Sequence, residues 1–210
     1  YPYTISPNGR YIAYATSDQY SFETYQVFIY DIEDKIEKKI LDGGFIWELE
    51  WLPNNSELLI SKTNDLEIRR RETLIVNRHG DILQNIISNE ATKIKDGYKI
   101  GLGQCSFSPN GSRIAHAYVN WKFIHIVDKQ TSELIKQIKL DFSVQWIYNI
   151  DWRFNKNKIL ITLMDDKDYF RIYELDINNN TSNLLVTKSI PIIGGQYFEN
   201  GNKICYLLNQ

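Results

Sequence analysis

Three groups of residues in this 210-residue chain have types and spacings suited to chemistry. The first is a set of carboxylates, amides and aromatics that recurs at matched positions. Glu50, Ser106, Asp151 and Gln196 fall in one row, and Glu48, Gln104 and Asn149 in the row two residues earlier. Trp47 aligns with Tyr148, and Trp146 is close by. Brought together, carboxylates and amides between aromatic walls suit a cation, a sugar or a peptide amine, and a hard cation such as Ca²⁺ prefers oxygen donors of this kind. A wet polar channel without a ligand uses the same residue types, because buried polar groups can be satisfied by water. The second group is Cys105, His116 and His125. If two-residue turns sit at Asn110-Gly111 and Asn120-Trp121, Cys105 opposes His116 and His116 opposes His125. Such pairs have Cβ atoms about 4.5–5.5 Å apart and carry ligand types that Zn²⁺ accepts. One slip in register would undo it. The third group is charged loops: Asp165-Asp166-Lys167-Asp168, and Arg69-Arg70-Arg71 with Lys93 and Lys95. The acidic run lacks the spacing and glycine of an EF-hand and reads as an exposed turn. The basic run suits an acidic partner or a solvated loop.

These positions match only because the chain repeats. Ser6-Pro7-Asn8-Gly9, followed by Arg10-Tyr11-Ile12-Ala13-Tyr14, returns as Ser108-Pro109-Asn110-Gly111, followed by Ser112-Arg113-Ile114-Ala115-His116. Each copy reads as strand, tight turn, strand. Asn-Gly suits the central pair of a type I′ turn, since glycine takes positive φ without steric cost. With the second turn residue as marker, Pro7, Pro53, Pro109, Phe154 and Glu199 are spaced by 46, 56, 45 and 45 residues. A period of about 40–45 is the length of a four-stranded propeller blade.

The rest of each unit agrees. Ile5, Trp51, Phe107, Trp152 or Tyr197 precedes the marker by two, an aliphatic strand follows it, a third strand ends on Asp or Asn, and a fourth is short and polar. Polar outer strands discourage stray pairing. No long segment carries a 3.6-residue period, so almost no helix is expected. The fold class read here is all-β: a β-propeller of four-stranded antiparallel blades, with about four and a half blades in one domain, 1–210. Blades are expected near 1–46, 47–102, 103–147, 148–193 and 194–210, the last incomplete. Starting in first-strand phase and stopping after a second strand, the chain is expected to be a processed form or excised piece of a larger propeller of six to eight blades, or else an open arc.

The repeat resembles the TolB-type propeller repeat, in which a Ser-Pro-Asp-Gly turn precedes a strand reading Ile-Ala-Tyr or Ile-Ala-Phe. It is similar as well to repeats in the propellers of prolyl oligopeptidase and dipeptidyl peptidase enzymes. Ser6–Tyr14 and Ser108–His116 match best, with Asn in place of the usual Asp, whereas the Gly-His and Trp-Asp signatures of WD repeats are absent. The resemblance implies a fold rather than an activity. Extended to context, it implies the bacterial periplasm or cell envelope.

Composition narrows the function classes. Charged residues make up 24% and the net charge is −2, so there is no global electrostatic case for nucleic acid. No apolar run approaches the ~18–20 residues of a membrane span. Two cysteines are too few for a disulfide framework. No Gly-x-Ser-x-Gly elbow, phosphate loop or His-Glu-x-x-His occurs, so no catalytic residues and no cofactor are assigned. The expected role is a non-catalytic scaffold that binds a protein or small molecule through its loop face and a central funnel. The funnel residues are Trp47, Glu48, Glu50, Gln104, Trp146, Tyr148, Asn149, Asp151 and Gln196. The alternative is enzymatic: the propeller portion of a larger prolyl oligopeptidase-like peptidase, or a metal-dependent lactonase-like propeller using Glu48, Glu50, Asn149 and Asp151.

Overall fold

The computed structural model describes residues 2–17, 25–63, 71–86, 104–117, 122–153, 157–198 and 202–208. Among them there is no helix, and every strand pairs antiparallel with its neighbour in sequence. The chain divides into two compact units, Tyr1–Leu102 and Gly103–Gln210. The first holds two sheets: β1 (Tyr3–Ile5), β2 (Tyr11–Ser17), β3 (Tyr25–Asp31) and β4 (Ile36–Asp42), then β5 (Phe45–Trp51), β6 (Glu57–Thr63), β7 (Arg71–Asn77) and β8 (Ile82–Ile86). The second holds β9 (Cys105–Phe107), β10 (Arg113–Ala117), β11 (Phe123–Asp128) and β12 (Leu134–Lys139), then β13 (Trp146–Trp152), β14 (Lys158–Met164), β15 (Phe170–Asp176) and β16 (Thr181–Lys188), and a two-stranded sheet of β17 (Ile192–Phe198) and β18 (Lys203–Leu208). Four-stranded meanders stacked face on face are the blades of a β-propeller. The fold is therefore the one the repeat predicts: four full blades and a two-stranded fifth sheet.

Burial explains the stacking. In unit 1, Ala13, Val27, Ile29 and Ile40 of the first sheet share a core with Leu49, Trp51, Ile60 and Leu74 of the second. In unit 2, Ile124, Ile126 and Ile138 of the third sheet share one with Ile150, Trp152, Ile161 and Tyr173 of the fourth. The far side of the fourth sheet packs Leu160, Phe170 and Ile172 against Ile192 of the fifth. Strand β14 is thus covered on both faces, and Ile159, Leu160 and Ile161 are wholly buried. That is why it reads as a continuous aliphatic run instead of an alternating one.

The turns differ from the expected type in an instructive way. Asn8-Gly9 and Asn110-Gly111 are not the central pair of a type I′ turn. Only the glycines have positive φ, 74° and 68°. Gly9 N donates to Ser6 O (2.8 Å) and Gly111 N to Ser108 O (2.7 Å), so Pro and Asn are the central residues of a type I-like turn and Gly follows it. Each residue has a role. Proline presets φ at the first central position. Asn8 Oδ1 accepts from Ser6 Oγ (2.7 Å) and Arg10 N (3.1 Å). Ser6 N donates to Tyr11 O (2.8 Å), while Tyr11 N donates to Ser6 Oγ (2.9 Å), the hydroxyl standing in for a carbonyl occupied elsewhere. The second copy repeats the set: Ser108 Oγ to Asn110 Oδ1 at 2.8 Å and Arg113 N to Ser108 Oγ at 2.9 Å. In Leu52-Pro53-Asn54-Asn55, Asn55 takes the left-handed position (φ 59°) and Asn54 Oδ1 accepts from Ser56 N and Glu57 N, replacing the missing hydroxyl.

The Asp or Asn closing each third strand is equally specific. Asp31 Oδ1 accepts from Glu33 N and Asp34 N, Asp128 Oδ1 from Gln130 N and Thr131 N, and Asp176 Oδ1 from Asn178 N and Asn179 N. Asn77 Oδ1 accepts from His79 N and Asp81 N. Each turn then contains a left-handed residue: Lys35, Gly80, Ser132 or Asn180. The markers Phe154 and Glu199, the Asn120-Trp121 turn, Arg69, Arg70, Lys93 and Lys95 lie outside the described residues.

Two glycines separate backbone strain from crowding. A Cβ on Gly9 would meet nothing within 4 Å, whereas one on Gly80 (φ 93°) would lie 2.5 Å from Ile40 O. Gly9→Ala should therefore cost about 1 kcal/mol, the left-handed penalty alone. Gly80→Ala should cost roughly 2–4 kcal/mol, since backbone must also move. Urea denaturation of the two variants measures the difference; equal losses would show that the crowding at Ile40 is relieved at no cost.

Candidate functional site

In unit 1 the aromatic and acidic candidates lie on β5. The register slips between Ile46 and Glu48, leaving Trp47 as the extra residue of a β-bulge. Its indole lies tilted against Phe45, ring centres 4.6 Å apart, and Phe45 meets Tyr25 edge-on at 4.9 Å. Trp47 Nε1 donates to Thr63 Oγ1 (2.7 Å). Glu48 and Glu50 alternate with Leu49 and Trp51, so the aliphatic and indole side chains enter the core and both half-buried carboxylates take the opposite face.

In unit 2 the polar first-strand residues are drawn into contacts between neighbouring sheets. Ser106 Oγ on β9 accepts from Trp152 N on β13 (3.1 Å). Asp151 Oδ2 on β13 accepts from Tyr197 N on β17 (2.6 Å), and Asn149 Nδ2 donates to Gly195 O (2.8 Å). Each side chain reaches 46 residues ahead, one blade length, to the backbone of the next first strand. Burial pushes the Asp151 carboxyl up to about 6, against the opposing pull of the Tyr197 N–H. Gly195 completes the join: its N–H donates to Thr162 Oγ1 (2.9 Å), and a Cβ there would sit 2.6 Å from that oxygen. Gln104 is half-buried just before β9, and its carbonyl accepts from Ala117 N (2.9 Å). Gln196 is exposed.

Trp146 and Tyr148 remain at the surface, 38% and 37% exposed. Tyr148 is the bulge residue of β13, as Trp47 is of β5. Its ring lies 5.6 Å from Phe170 and its hydroxyl 3.9 Å from Met164 Sδ. Trp146 opposes Met164, and Met164 opposes Phe170, so these groups share one end of the fourth sheet. The β14–β15 loop adds Tyr169, also exposed, with the Arg171 guanidinium 5.9 Å from its ring centre. Tyr169 was not among the sequence candidates, although an exposed aromatic beside a tight acidic turn was the available signal. That acidic turn needs correction in one respect. Asp165 is buried, accepting from Lys167 N, Tyr169 N and Arg171 Nε. Burial alone would raise its carboxyl, but the Tyr169 and Lys167 amides and the Arg171 guanidinium together hold it below the usual carboxylate range. It organises the loop.

Cys105 opposes His116, and His116 opposes His125, in the register expected. Both imidazoles are buried, edge to face at 5.3 Å. Burial, then the neighbouring His125, pushes His116 down to about 3, so its ring stays neutral. Gln137 Nε2 lies 2.9 Å from His125 Nε2. Shared facing does not make a metal centre: the ligand atoms of Cys105, His116 and His125 do not gather within 4.8 Å of one another. They pack the third sheet.

No family model matches the chain, and no curated protein does. Solved structures do. TolB from Acinetobacter baumannii superposes with a TM-score of 0.72 at 19% identity, over 94% of this chain and 47% of that one. The β-propeller domain of the Trilobed protease from Pyrococcus furiosus, described as having an open velcro topology, gives 0.64 at 17% identity, over 99% and 62%. The acylaminoacyl peptidase of Pyrococcus horikoshii gives 0.60 at 18% identity, over 98% and 35%. These likenesses show the propeller fold. The chain spans about half the length of the TolB structure and a smaller share of the peptidase.

The half-buried Asp151 carboxyl has a pH signature. Its folded pKa is raised, so its contribution to stability is complete below about pH 4 and is lost as pH rises through about 6. Asp151→Asn keeps an acceptor for Tyr197 N–H and removes the charge. The variant should match the parent chain below about pH 4, exceed it in stability by a margin that grows between about pH 4 and pH 6, and keep a constant margin above that. A pH-independent difference between their melting temperatures would contradict this account.

Proposed function

We propose that this chain is a non-catalytic β-propeller scaffold that binds a protein or small ligand at the end of the blades carrying the first-strand bulges and the second-to-third-strand loops. The observation that carries the reading is the exposed aromatic group Trp146, Tyr148 and Tyr169 on one end of the fourth sheet. Large rings left in water on a rigid strand lose little entropy on binding and bury much area, which is why aromatics dominate recognition surfaces. Loops on a fixed scaffold can vary without disturbing the core. Trp47, Glu48 and Glu50 on β5 belong to the same reading as a second polar and aromatic element, as do Gln104, Asn149, Asp151 and Gln196 on the first strands of unit 2.

The likeness to the propellers of a protease and an acylaminoacyl peptidase supports a second reading, in which the chain is the propeller portion of a larger peptidase and gates access to it. A hydrolase domain with a Gly-x-Ser-x-Gly elbow in the same reading frame would favour that reading. A divalent ion bound through Glu48, Glu50, Asn149 or Asp151 would favour the lactonase-like alternative; calorimetric titration with Ca²⁺ tests it.

The scaffold reading is tested by panning a displayed random peptide library against the parent chain and against a Trp146→Ala, Tyr148→Ala double variant. Both side chains are partly exposed, so the variant should fold. Peptides selected on the parent should bind the variant at least about tenfold more weakly, the loss of one good aromatic contact or more. Undiminished binding, or turnover of a peptide anilide by the chain alone, would overturn the reading.

A further inference from the structure

The two Ser-Pro-Asn-Gly turns hold a reactive pair in an unreactive geometry. An asparagine followed by glycine is open to attack on its own side chain, because no Cβ shields the glycine nitrogen. Asn8 and Asn110 are both exposed, so water reaches them and burial does not protect them. Hydrogen bonds hold both reacting groups instead. The attacking groups are the backbone nitrogens of Gly9 and Gly111. Each N–H is already given to a carbonyl, Ser6 O at 2.8 Å and Ser108 O at 2.7 Å. The attacked groups are the side-chain amides, and in both turns the amide serves as an acceptor through Oδ1. Asn8 Oδ1 accepts from Ser6 Oγ (2.7 Å) and Arg10 N (3.1 Å). Asn110 Oδ1 accepts from Ser108 Oγ (2.8 Å), Ser112 Oγ (2.9 Å) and Ser112 N (3.1 Å). The turn at Leu52 is built alike but lacks the pair. There Asn55 N donates to Leu52 O (3.1 Å), and the residue after Asn54 carries a side chain.

We propose that Asn8 and Asn110 are sites of spontaneous deamidation, which the folded turns keep silent and unfolding opens. This does not depend on the ligand-binding reading above. In the reaction the glycine nitrogen loses its proton and bonds to the asparagine Cγ, the Cγ–Nδ2 bond breaks, and Nδ2 leaves as ammonia. Water then opens the cyclic imide. Opening at Cγ gives aspartate. Opening at the asparagine's own backbone carbonyl gives isoaspartate, with the main chain rerouted through the side chain. No oxidant or reductant enters. In the fold, ring closure must first break the glycine N–H bond to the serine carbonyl and release Oδ1 from its donors. The two products then differ in fate. Aspartate keeps an oxygen for the same donors, and a charged acceptor strengthens such bonds. Isoaspartate puts an extra carbon into the main chain between proline and glycine. The turn that closes on Ser6 O or Ser108 O is then lost, and with it the register of β1 on β2 or of β9 on β10. Each turn is thus an irreversible record of unfolding.

The test incubates the full chain at mildly alkaline pH, in buffer and in denaturing urea. Peptide mapping that separates asparagine, aspartate and isoaspartate follows Asn8, Asn110 and Asn54. Asn8 and Asn110 should react at least about tenfold more slowly in buffer than in urea, the protection expected of a hydrogen-bonded turn. In urea both should outpace Asn54. Ser6→Ala removes the hydroxyl that meets Asn8 Oδ1 and Tyr11 N, and leaves the turn in unit 2 untouched. In buffer it should speed Asn8 by roughly fivefold, one net hydrogen bond's worth, and leave Asn110 unchanged. After removal of urea, the refolded chain should hold aspartate at both positions and exclude isoaspartate. Equal rates in buffer and urea, or equal speeding of both sites by Ser6→Ala, would overturn the proposal. So would refolded chains rich in isoaspartate that melt at the parent temperature.

Discussion

The second, third and fourth sheets of this protein have two faces to hide and cannot hide either alone. A four-stranded meander with aliphatic residues on both sides of its second strand is stable only between neighbours. Leu160 and Ile161, adjacent on β14, enter two different cores for this reason. Everything else in the structure accommodates that constraint. In unit 2 the first strands are pinned to one another by side-chain-to-backbone hydrogen bonds, because stacked sheets offer one another faces and not backbone edges. Fourth strands are polar because they form the rim.

The pinning bears directly on function. Asp151, Asn149 and Ser106 are polar residues on first strands, the positions at which a propeller would be expected to meet a ligand. In unit 2 they spend hydrogen-bonding capacity on the next sheet. A half-buried carboxylate accepting one backbone N–H gives up more hydration than that bond restores, which is why the Asp151 carboxyl is pushed up. The aromatic residues at the bulges are different. A bulge turns a side chain away from the regular alternation, so Tyr148 and its neighbour Trp146 stay at the surface while Ile147 and Ile150 go inside.

Turn chemistry supplies the second layer of specification. Ser-Pro-Asn-Gly works as a unit in which hydroxyl, ring, amide and missing Cβ each meet one geometric demand. Asp or Asn at the close of every third strand does the same with one carboxylate or amide oxygen and two backbone N–H groups. These devices are local, so they survive when other parts of the repeat drift. In the copy at Leu52, two asparagines replace both serine and glycine without altering the frame of the turn.

Much of the architecture was legible in the residue order because those determinants are short-range. A period near 45, the turn units, alternating strands and polar fourth strands together specify blades, and the facing of Cys105, His116 and His125 followed from hairpin arithmetic alone. The type of the first turn was misjudged for a related reason: two residues do not reveal which carbonyl a preceding serine hydroxyl will replace. The fate of the polar first-strand residues was beyond reach of the residue order. Whether Asp151 meets a ligand or Tyr197 N–H depends on how closely the next sheet approaches, and that distance is set by packing between segments 46 residues apart. Burial of Asp165 and the failure of the Cys105, His116 and His125 ligand atoms to gather were likewise decided in three dimensions, since each depends on what stands opposite a side chain and not on what stands beside it in the chain.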